Sequence, residues 1–171
     1  HGYVQCNNSI CRPSSVSAAV IQGVLPGEDP LLSTMWTMLG QPTASITVPF
    51  WPVGVPPDLT DGEKTAPLCD ISLKIKSLLF DYVIMEEGTR TKMSQMYIDT
   101  YKIKDEYGKG VWEIIFPVED IILEEAEGLI EMWRREGVNT EQMLEVEAKF
   151  ASKAYEALEV VYKKLENSDK T

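Results

Sequence analysis

The most apolar tract of the chain, residues 31–55, carries Gly40, Pro42, Pro49 and Pro52 at intervals too short for a long helix. A membrane-spanning helix needs about 20 consecutive apolar residues. A proline inside a helix removes a hydrogen bond and clashes with the preceding turn. The tract is therefore predicted to fold as short strands separated by turns, and we exclude a transmembrane span.

Three segments around this tract carry the β-branched and aromatic residues that favour strands. They are "SSVSAAVIQGV", "LLSTMWTML" and "TASITVPFW", and the turn sequences "LPGEDP" and "GQP" separate them. Consecutive strands joined by short turns usually pair in antiparallel fashion. The sequence predicts an antiparallel meander of three strands within a β-rich part, residues 1–62.

Residues 63–171 are predicted to be mostly helical. In "CDISLKIKSLLFDYVIME", apolar side chains recur at helical spacing through Ile71, Ile75, Leu79 and Tyr82. A second helix, "PVEDIILEEAEGLIEMWRREG", is expected to begin at Pro117 and to end near Gly137. The pattern over residues 88–111 is ambiguous.

The last predicted helix starts at a Thr140 N-cap and ends near Lys163 and Lys164. Its apolar residues recur every seven positions, at Leu144, Ala151, Leu158 and Leu165. About three heptads usually indicate packing within one chain, although a coiled coil with a partner is an alternative. We expect this helix to pair in antiparallel fashion with the one before it. One α+β domain is thus predicted over 1–171, with an antiparallel sheet packed against helices.

The charge balance narrows the classes of partner. The 171 residues include 16 basic and 27 acidic side chains, for a net charge of −11. Such a chain repels phosphate backbones and anionic lipid surfaces, so neither nucleic acid nor a membrane is an expected partner. The only histidine is the terminal His1, which we leave out of the chemistry. The sequence contains no metal or nucleotide motif, and no cofactor is expected.

Two groups of residues are candidates for chemistry. Arg12 is the only Lys or Arg in the first 62 residues, and Pro13 restricts the backbone directly after it. Arg12 either has a structural role, as a surface ion pair or a cap on a strand end, or it anchors a nucleophile or a substrate carboxylate by forked hydrogen bonds. Apolar side chains on the predicted strands form either the core of the sheet or a wall that binds an acyl group. These side chains are Met35, Trp36, Met38, Phe50 and Trp51.

The segments "CRPSSVSAAVIQGVLPGEDP" and "LLSTMWTMLGQPTASITVPFW" resemble the C-terminal portion of bacterial proteins in the isopenicillin N acyltransferase-like group. The helical tail "FPVEDIILEEAEGLIEMWRREG" is also similar to the terminal helices of that group. Its members are linear amide C–N hydrolases with the N-terminal-nucleophile fold. The resemblance covers most of the chain and is densest over residues 11–53.

The resemblance implies an αββα sandwich and a cysteine nucleophile that forms an acyl-enzyme from a small amide substrate. Arg12 is the residue that best fits the arginine found near the nucleophile in related cholylglycine and penicillin V hydrolases. Met35, Trp36, Phe50 and Trp51 would then contact the substrate.

This chain does not begin with Cys, Ser or Thr, so the nucleophile is expected in an upstream segment, and the chain alone is expected to be inactive. The implied partner is the N-terminal half of the same protein or a second copy. Relatives in this group are often exported. The alternative function is a non-catalytic acidic α+β domain that binds a protein partner through its helical hairpin. The substrate, and the choice between hydrolase and acyltransferase, cannot be deduced from the residues.

Overall fold

A computed structural model describes residues 2–6, 9, 11–54, 57–62, 64–83 and 95–168. These residues form a mixed α+β structure with two small antiparallel sheets. The strands are β1 (Tyr3–Gln5), β2 (Ser17–Gln22), β3 (Thr34–Leu39), β4 (Thr47–Phe50), β5 (Phe80–Val83) and β6 (Gln95–Asp99). The helices are α1 (Pro67–Leu79), α2 (Thr100–Ile103), α3 (Trp112–Glu136) and α4 (Thr140–Ser168).

The predicted meander is confirmed as the sheet β2-β3-β4. Its register pairs Ile21 with Met35 and Met35 with Phe50. Two short 3-10 helices, Pro30–Leu32 and Pro42–Ala44, connect the strands and each starts with a proline, which suits the first helical position. Gly40 ends β3 with φ of 99°, a conformation that is open to glycine and strained for other residues.

The second sheet, β1-β6-β5, joins the predicted β-rich part, residues 1–62, to the predicted helical part, residues 63–171. Tyr3 in β1 pairs with Asp99 in β6. The helix predicted through Tyr82 was wrong at its end. Helix α1 stops at Leu79, and Phe80 has the extended φ and ψ of −109° and 125°. The aromatic and β-branched residues of "FDYV" favour a strand, and pairing with β6 stabilises it. The end of the predicted segment, residues 84–86, lies outside the described residues.

Helix α3 begins at Trp112, five residues before the predicted start, and Pro117 lies inside it. The indole of Trp112 stacks on Phe116 with ring centroids 4.9 Å apart, and its Nε1 donates to the carbonyl of Thr43. Val111 and Ile115 are buried in the same turn. These tertiary contacts stabilise the extra turn despite the hydrogen bond that Pro117 cannot make.

The N-cap of α4 is Asn139 and not the predicted Thr140. The Asn139 side-chain oxygen accepts a hydrogen bond from the Gln142 N–H at 3.0 Å. The helix also runs on past the two predicted terminal lysines to Ser168. Of the heptad residues, Ala151, Leu158 and Leu165 are buried, as the spacing indicates.

Helices α3 and α4 form the predicted antiparallel pair. Lys164, near the end of α4, lies 2.9 Å from Glu113 at the start of α3, and the Trp133 indole N–H near the end of α3 donates to Gln142. Helix α1 packs against α4, and strand β4 lies against both α3 and α4. Buried residues from all of these elements form one hydrophobic core, which therefore lies between the helices and β4.

Candidate functional site

Arg12 lies in a tight turn whose backbone is held by several hydrogen bonds. Its N–H donates to the Ser15 hydroxyl at 3.1 Å, and its carbonyl accepts from the Ser15 N–H at 2.9 Å. The Gln41 side-chain amide donates to the same carbonyl at 3.2 Å and to the Cys11 sulfur at 3.3 Å. Pro13 is buried directly after it. The Arg12 backbone is thus fixed against the end of β3.

The Arg12 side chain is exposed. Among the described residues none forms an ion pair with its guanidinium, although the chain has an excess of carboxylates. A guanidinium presents five N–H donors in a planar fork that matches a carboxylate. A fixed backbone with an unpaired guanidinium is therefore suited to bind an anionic group from outside the described residues.

The structure brings together three of the four predicted substrate-contacting residues. Met35, Phe50 and Trp51 line an apolar groove of about 240 Å³ together with Ile21. The Trp51 ring packs edge-on against Trp133 of α3, with centroids 5.1 Å apart, and its indole N–H donates to the Thr34 hydroxyl at 3.0 Å. Trp51 is therefore a core residue at the base of the groove, whereas Met35 is 39% exposed.

Trp36 is not part of this groove. Adjacent residues of a strand point to opposite faces, so Trp36 lies on the face opposite Met35, where its indole N–H donates to the Gln22 side chain at 3.0 Å. Trp36 pairs with Val20 in the register. It is part of the surface of the sheet that faces α3.

Arg12 and the apolar groove lie at opposite ends of the sheet. Gln41 holds Arg12 beside Gly40, whose N–H donates to the Val16 carbonyl. The groove is at Ile21, five residues after Val16, and five residues span about 16 Å at the usual rise of a strand. The described residues therefore form two separate features and not one pocket.

Burial in this sheet changes from strand to strand and not from face to face. In a sandwich of the kind that the resemblance implies, helices would cover one face of the sheet and a second sheet would pack on the other face. In β4, however, the adjacent residues Val48 and Pro49 are both buried, so both of its faces are covered. In β2 all six residues are exposed, so neither face is covered.

The outer edge of β4 is closed by carboxylates from two helices. The Thr47 N–H donates to Glu119 of α3 at 2.8 Å, and the Trp51 N–H donates to Glu147 of α4 at 2.6 Å. Alternate residues of a strand point their N–H groups to the same side. Between these two on that edge is Pro49, which has no N–H. This edge of the sheet has no donor left for another strand.

The outer edge of β2 is open. The bond from Gly40 N–H to the Val16 carbonyl and the alternation of an antiparallel ladder place the backbone groups of Ala18 and Val20 toward β3. Those of Ser17, Ala19 and Ile21 then point away from the sheet. No described element covers them. The local sequence pattern predicts the strand, and the uncharged "SAAVIQ" is the one sequence signal that indicates an open edge.

Two of the three cysteines, Cys6 and Cys69, are thiols in surroundings that disfavour reactivity. Cys6 is buried and Cys69 is partly buried. Burial is the main cause that raises the pKa of each thiol, with a smaller contribution from Cys11 at Cys6 and from Asp70 at Cys69. A raised pKa leaves less thiolate near neutral pH, and the thiolate is the nucleophile. Cys6 and Cys69 are therefore poor candidates for an acyl-accepting nucleophile.

In the described part of the chain, no set of three or more His, Cys, Asp or Glu side chains is placed to hold a metal ion. Three neighbouring acidic residues of α3 are either exposed or in ion pairs. Glu125 pairs with Lys149 and Lys153 of α4, whereas Glu124 and Glu127 are exposed.

Of the helices described, none has the length and apolar character needed to cross a bilayer.

Comparison with known proteins returns no match. No protein-family model, no curated protein and no solved structure matches this chain. The resemblance to linear amide C–N hydrolases thus stays a prediction from the sequence.

Proposed function

We propose that this chain is part of a cysteine N-terminal-nucleophile enzyme that cleaves linear amide C–N bonds, with Arg12 as its anion-binding residue. The observation that carries the proposal is the Arg12 guanidinium, which no described residue pairs, on a turn fixed by Ser15 and Gln41. The similarity of the surrounding residues to the isopenicillin N acyltransferase-like group supports the reaction class.

In this reaction the α-amine of the cysteine takes the proton of the thiol, and the thiolate attacks the amide carbon. The C–N bond breaks, and the α-ammonium gives its proton to the amine that leaves. Water or a second amine then releases the acyl group from the thioester. As the resemblance implies, we expect the nucleophile in a segment other than the described one. Burial also raises the pKa of Cys6 and Cys69, which disfavours both as thiolates. Arg12 binds either the carboxylate of the substrate or a carboxylate that positions the nucleophile.

The groove of Met35, Phe50 and Trp51 has a second role in this proposal. It lies at Ile21, about 16 Å along the strand from Val16, which is next to the turn that holds Arg12, so we do not assign it to the atoms that react near the guanidinium. We assign Met35 and Phe50 to an apolar surface that a partner segment or a long acyl group covers. Trp36 faces the other way and has no role in the proposed site.

The test uses the full gene product that contains this chain. Turnover of a panel of N-acyl amides is measured by mass spectrometry for the parent, Arg12→Ala and Arg12→Lys. Arg12→Ala should lower kcat/KM about 100-fold, and Arg12→Lys should not restore it because an ammonium does not form the planar fork. Arg135→Ala, an exposed arginine at the end of α3, is the matched control.

Two results would contradict the proposal. One is a folded parent protein that cleaves no amide of the panel. The other is an Arg12→Ala variant with the kinetics of the parent, which would return Arg12 to a surface role.

A second function, protein binding without catalysis, is favoured by the open edge of β2. An enzyme part and a binding domain both predict a partner at this edge, but only the first predicts amide turnover. The two are therefore separated by the activity measurement and not by binding.

A further inference from the structure

The two edges of the sheet β2-β3-β4 differ in whether their outward backbone groups are hydrogen-bonded. At β4, Glu119 and Glu147 accept the outward N–H groups of Thr47 and Trp51, and Pro49 between them has no N–H. At β2, the outward backbone groups of Ser17, Ala19 and Ile21 face no described element. Proteins usually protect such an edge with lysines, prolines, bulges or a covering segment. The residues "SAAVIQ" include no Lys and no Pro, and the ladder to β3 is continuous.

Exposed apolar side chains are concentrated at this edge. Val20 is 67% exposed, Ile21 77% and Leu25 67%, and Met35 lies beside Ile21 in the register. We name Ser17–Gln22 and these flanking side chains the β2 edge. Several large apolar side chains lie beside backbone groups that no described residue pairs, and this combination marks a binding surface and not a solvated one.

We propose that the β2 edge binds an extended strand of another polypeptide segment, one that alternates apolar and basic side chains. The added strand would hydrogen-bond to Ser17, Ala19 and Ile21 and extend the sheet to four strands. The inference does not depend on amide cleavage and holds for an enzyme part or a binding domain.

The apolar half of this pattern follows from one face of the sheet. Ser17, Ala19 and Ile21 share a face with Met35 and Phe50, which line the apolar groove. A strand paired to β2 places alternate side chains beside Ile21 on this face. Apolar side chains there would cover Ile21 and Met35.

The basic side chains of the proposed strand follow from the other face of the sheet, the one toward α3. A groove between β2 and α3 is lined by Gln22 and, from α3, by Glu124, Glu127, Gly128, Glu131 and Arg134. Arg134 pairs with Glu28 and Glu131, while within the described residues Glu124 and Glu127 have no ion-pair partner. A Cβ added at Gly128 would meet nothing within 4 Å, so the floor of the groove is open. Lysine or arginine side chains of the added strand complement this groove.

The same charges argue against a second copy of this chain as the occupant. Two copies paired through β2 would place acidic α3 surfaces next to each other, and each chain has a net charge of −11. Strand β2 contains no Lys or Arg to offset them. Like charges at an interface lower affinity and slow association.

The first experiment measures binding of synthetic peptides to the purified chain by fluorescence polarisation. Three eight-residue peptides are compared: alternating Val and Lys, alternating Val and Glu, and the Val and Lys residues in two blocks. We expect the alternating Val/Lys peptide to bind at least about 10-fold more tightly than the other two, and more weakly as salt rises.

The second experiment tests the backbone contact without changing the protein. The Val/Lys peptide is N-methylated on every second residue, in either of the two registers. One register blocks the N–H groups that face β2 and should abolish binding, and the other should bind as the unmodified peptide does.

Protein variants locate the site. Ala19→Pro removes an outward N–H and should weaken binding at least about 10-fold, while Ala19→Val keeps that N–H and should bind as the parent. Glu124→Gln with Glu127→Gln should reduce the preference for the Val/Lys peptide over the block peptide by roughly 5-fold. Circular dichroism checks that each variant is folded.

Three outcomes would overturn the proposal. The first is equal affinity for the Val/Lys, Val/Glu and block peptides. The second is equal binding of both N-methylated registers. The third is a dimer of the chain that is cross-linked through β2 and that the Val/Lys peptide does not displace, which would make a second copy the occupant.

Discussion

The Glu147 carboxylate on α4 accepts the backbone N–H of Trp51 at 2.6 Å, although both residues are almost fully buried. The hydrogen bond joins the long helix to the end of strand β4 and closes the last outward donor on that edge. Burial is the main cause that raises the pKa of Glu147, and the bond from Trp51 lowers it by less. The contact thus needs an oxygen acceptor, and we predict that it does not need a charge.

The first prediction distinguishes the role of the Glu147 side-chain oxygen as a hydrogen-bond acceptor from the role of its charge. Glu147→Ala leaves the buried Trp51 N–H without an acceptor and should destabilise the fold by about 1–3 kcal/mol. Glu147→Gln keeps an acceptor oxygen, removes a poorly solvated charge and should match or exceed the parent in stability at pH 7. Urea denaturation at pH 7 measures both, with Glu145→Ala on the exposed face of α4 as control. A Gln variant as unstable as the Ala variant would show that the charge is required.

The second prediction concerns pH above 4.5. Because the pKa of Glu147 is raised in the folded state, the folded protein holds this proton more tightly than the unfolded chain does. Its contribution to stability is therefore largest below 4.5 and falls as pH rises through the folded pKa. Glu147→Gln should flatten the fall of Tm in this range. Scanning calorimetry in steps of half a pH unit measures the slope, and identical slopes for parent and Gln variant would contradict it.

The third prediction concerns pH below 4.5, where Glu113 acts in the opposite direction. Hydrogen bonds from Lys109, and next from Lys164, lower the pKa of Glu113 to about 2. Its contribution is present above 4.5 and is lost as pH falls toward 2. Glu113→Gln should reduce the loss of Tm between pH 4.5 and 2, whereas Glu106→Gln, an exposed control, should not. Since Glu113 is only half-buried, 1 M salt should also weaken the effect.

The fourth prediction compares two glycines of opposite role. A Cβ at Gly40 would overlap the Ser72 side chain, and its φ of 99° disfavours other residues. Gly40→Ala should therefore destabilise the fold by about 1–3 kcal/mol. Gly128 is inside α3 with open space around it, so Gly128→Ala should stabilise by about 0.5–1 kcal/mol. Thermal unfolding of both variants decides this, and changes of the same sign would refute the assignment.

The elements that the sequence predicted well are those with a dense local signal. The meander follows from three segments rich in β-branched and aromatic residues, each bounded by proline or glycine. The α3–α4 pair follows from apolar residues at regular helical spacing. In both cases the signal is carried by residues close together in the chain, and the tertiary structure agrees with it.

Other boundaries depended on distant residues. Tyr82 fits the helical spacing of α1, but pairing with β6 places it in a strand. Pro117 is typical of a helix start, but the contacts of Trp112 with Thr43 and Phe116 extend the helix by five residues. A local pattern does not include the distant residues that decide whether a segment is helical or not when both states have similar energy.

By itself the sequence determined the α+β class, the short strands around Pro42 and Pro49, and the candidate Arg12. Only the tertiary structure decided that Arg12 and Met35 lie at opposite ends of the sheet and that Met35 and Trp36 face opposite ways. Only the tertiary structure, too, decided which edge of the sheet is closed. Glu119 and Glu147 reach Thr47 and Trp51 across 72 and 96 residues of chain, a separation over which no local pattern specifies a hydrogen bond. The open β2 edge follows for the same reason, because an edge is defined by the strands and helices that fold against it.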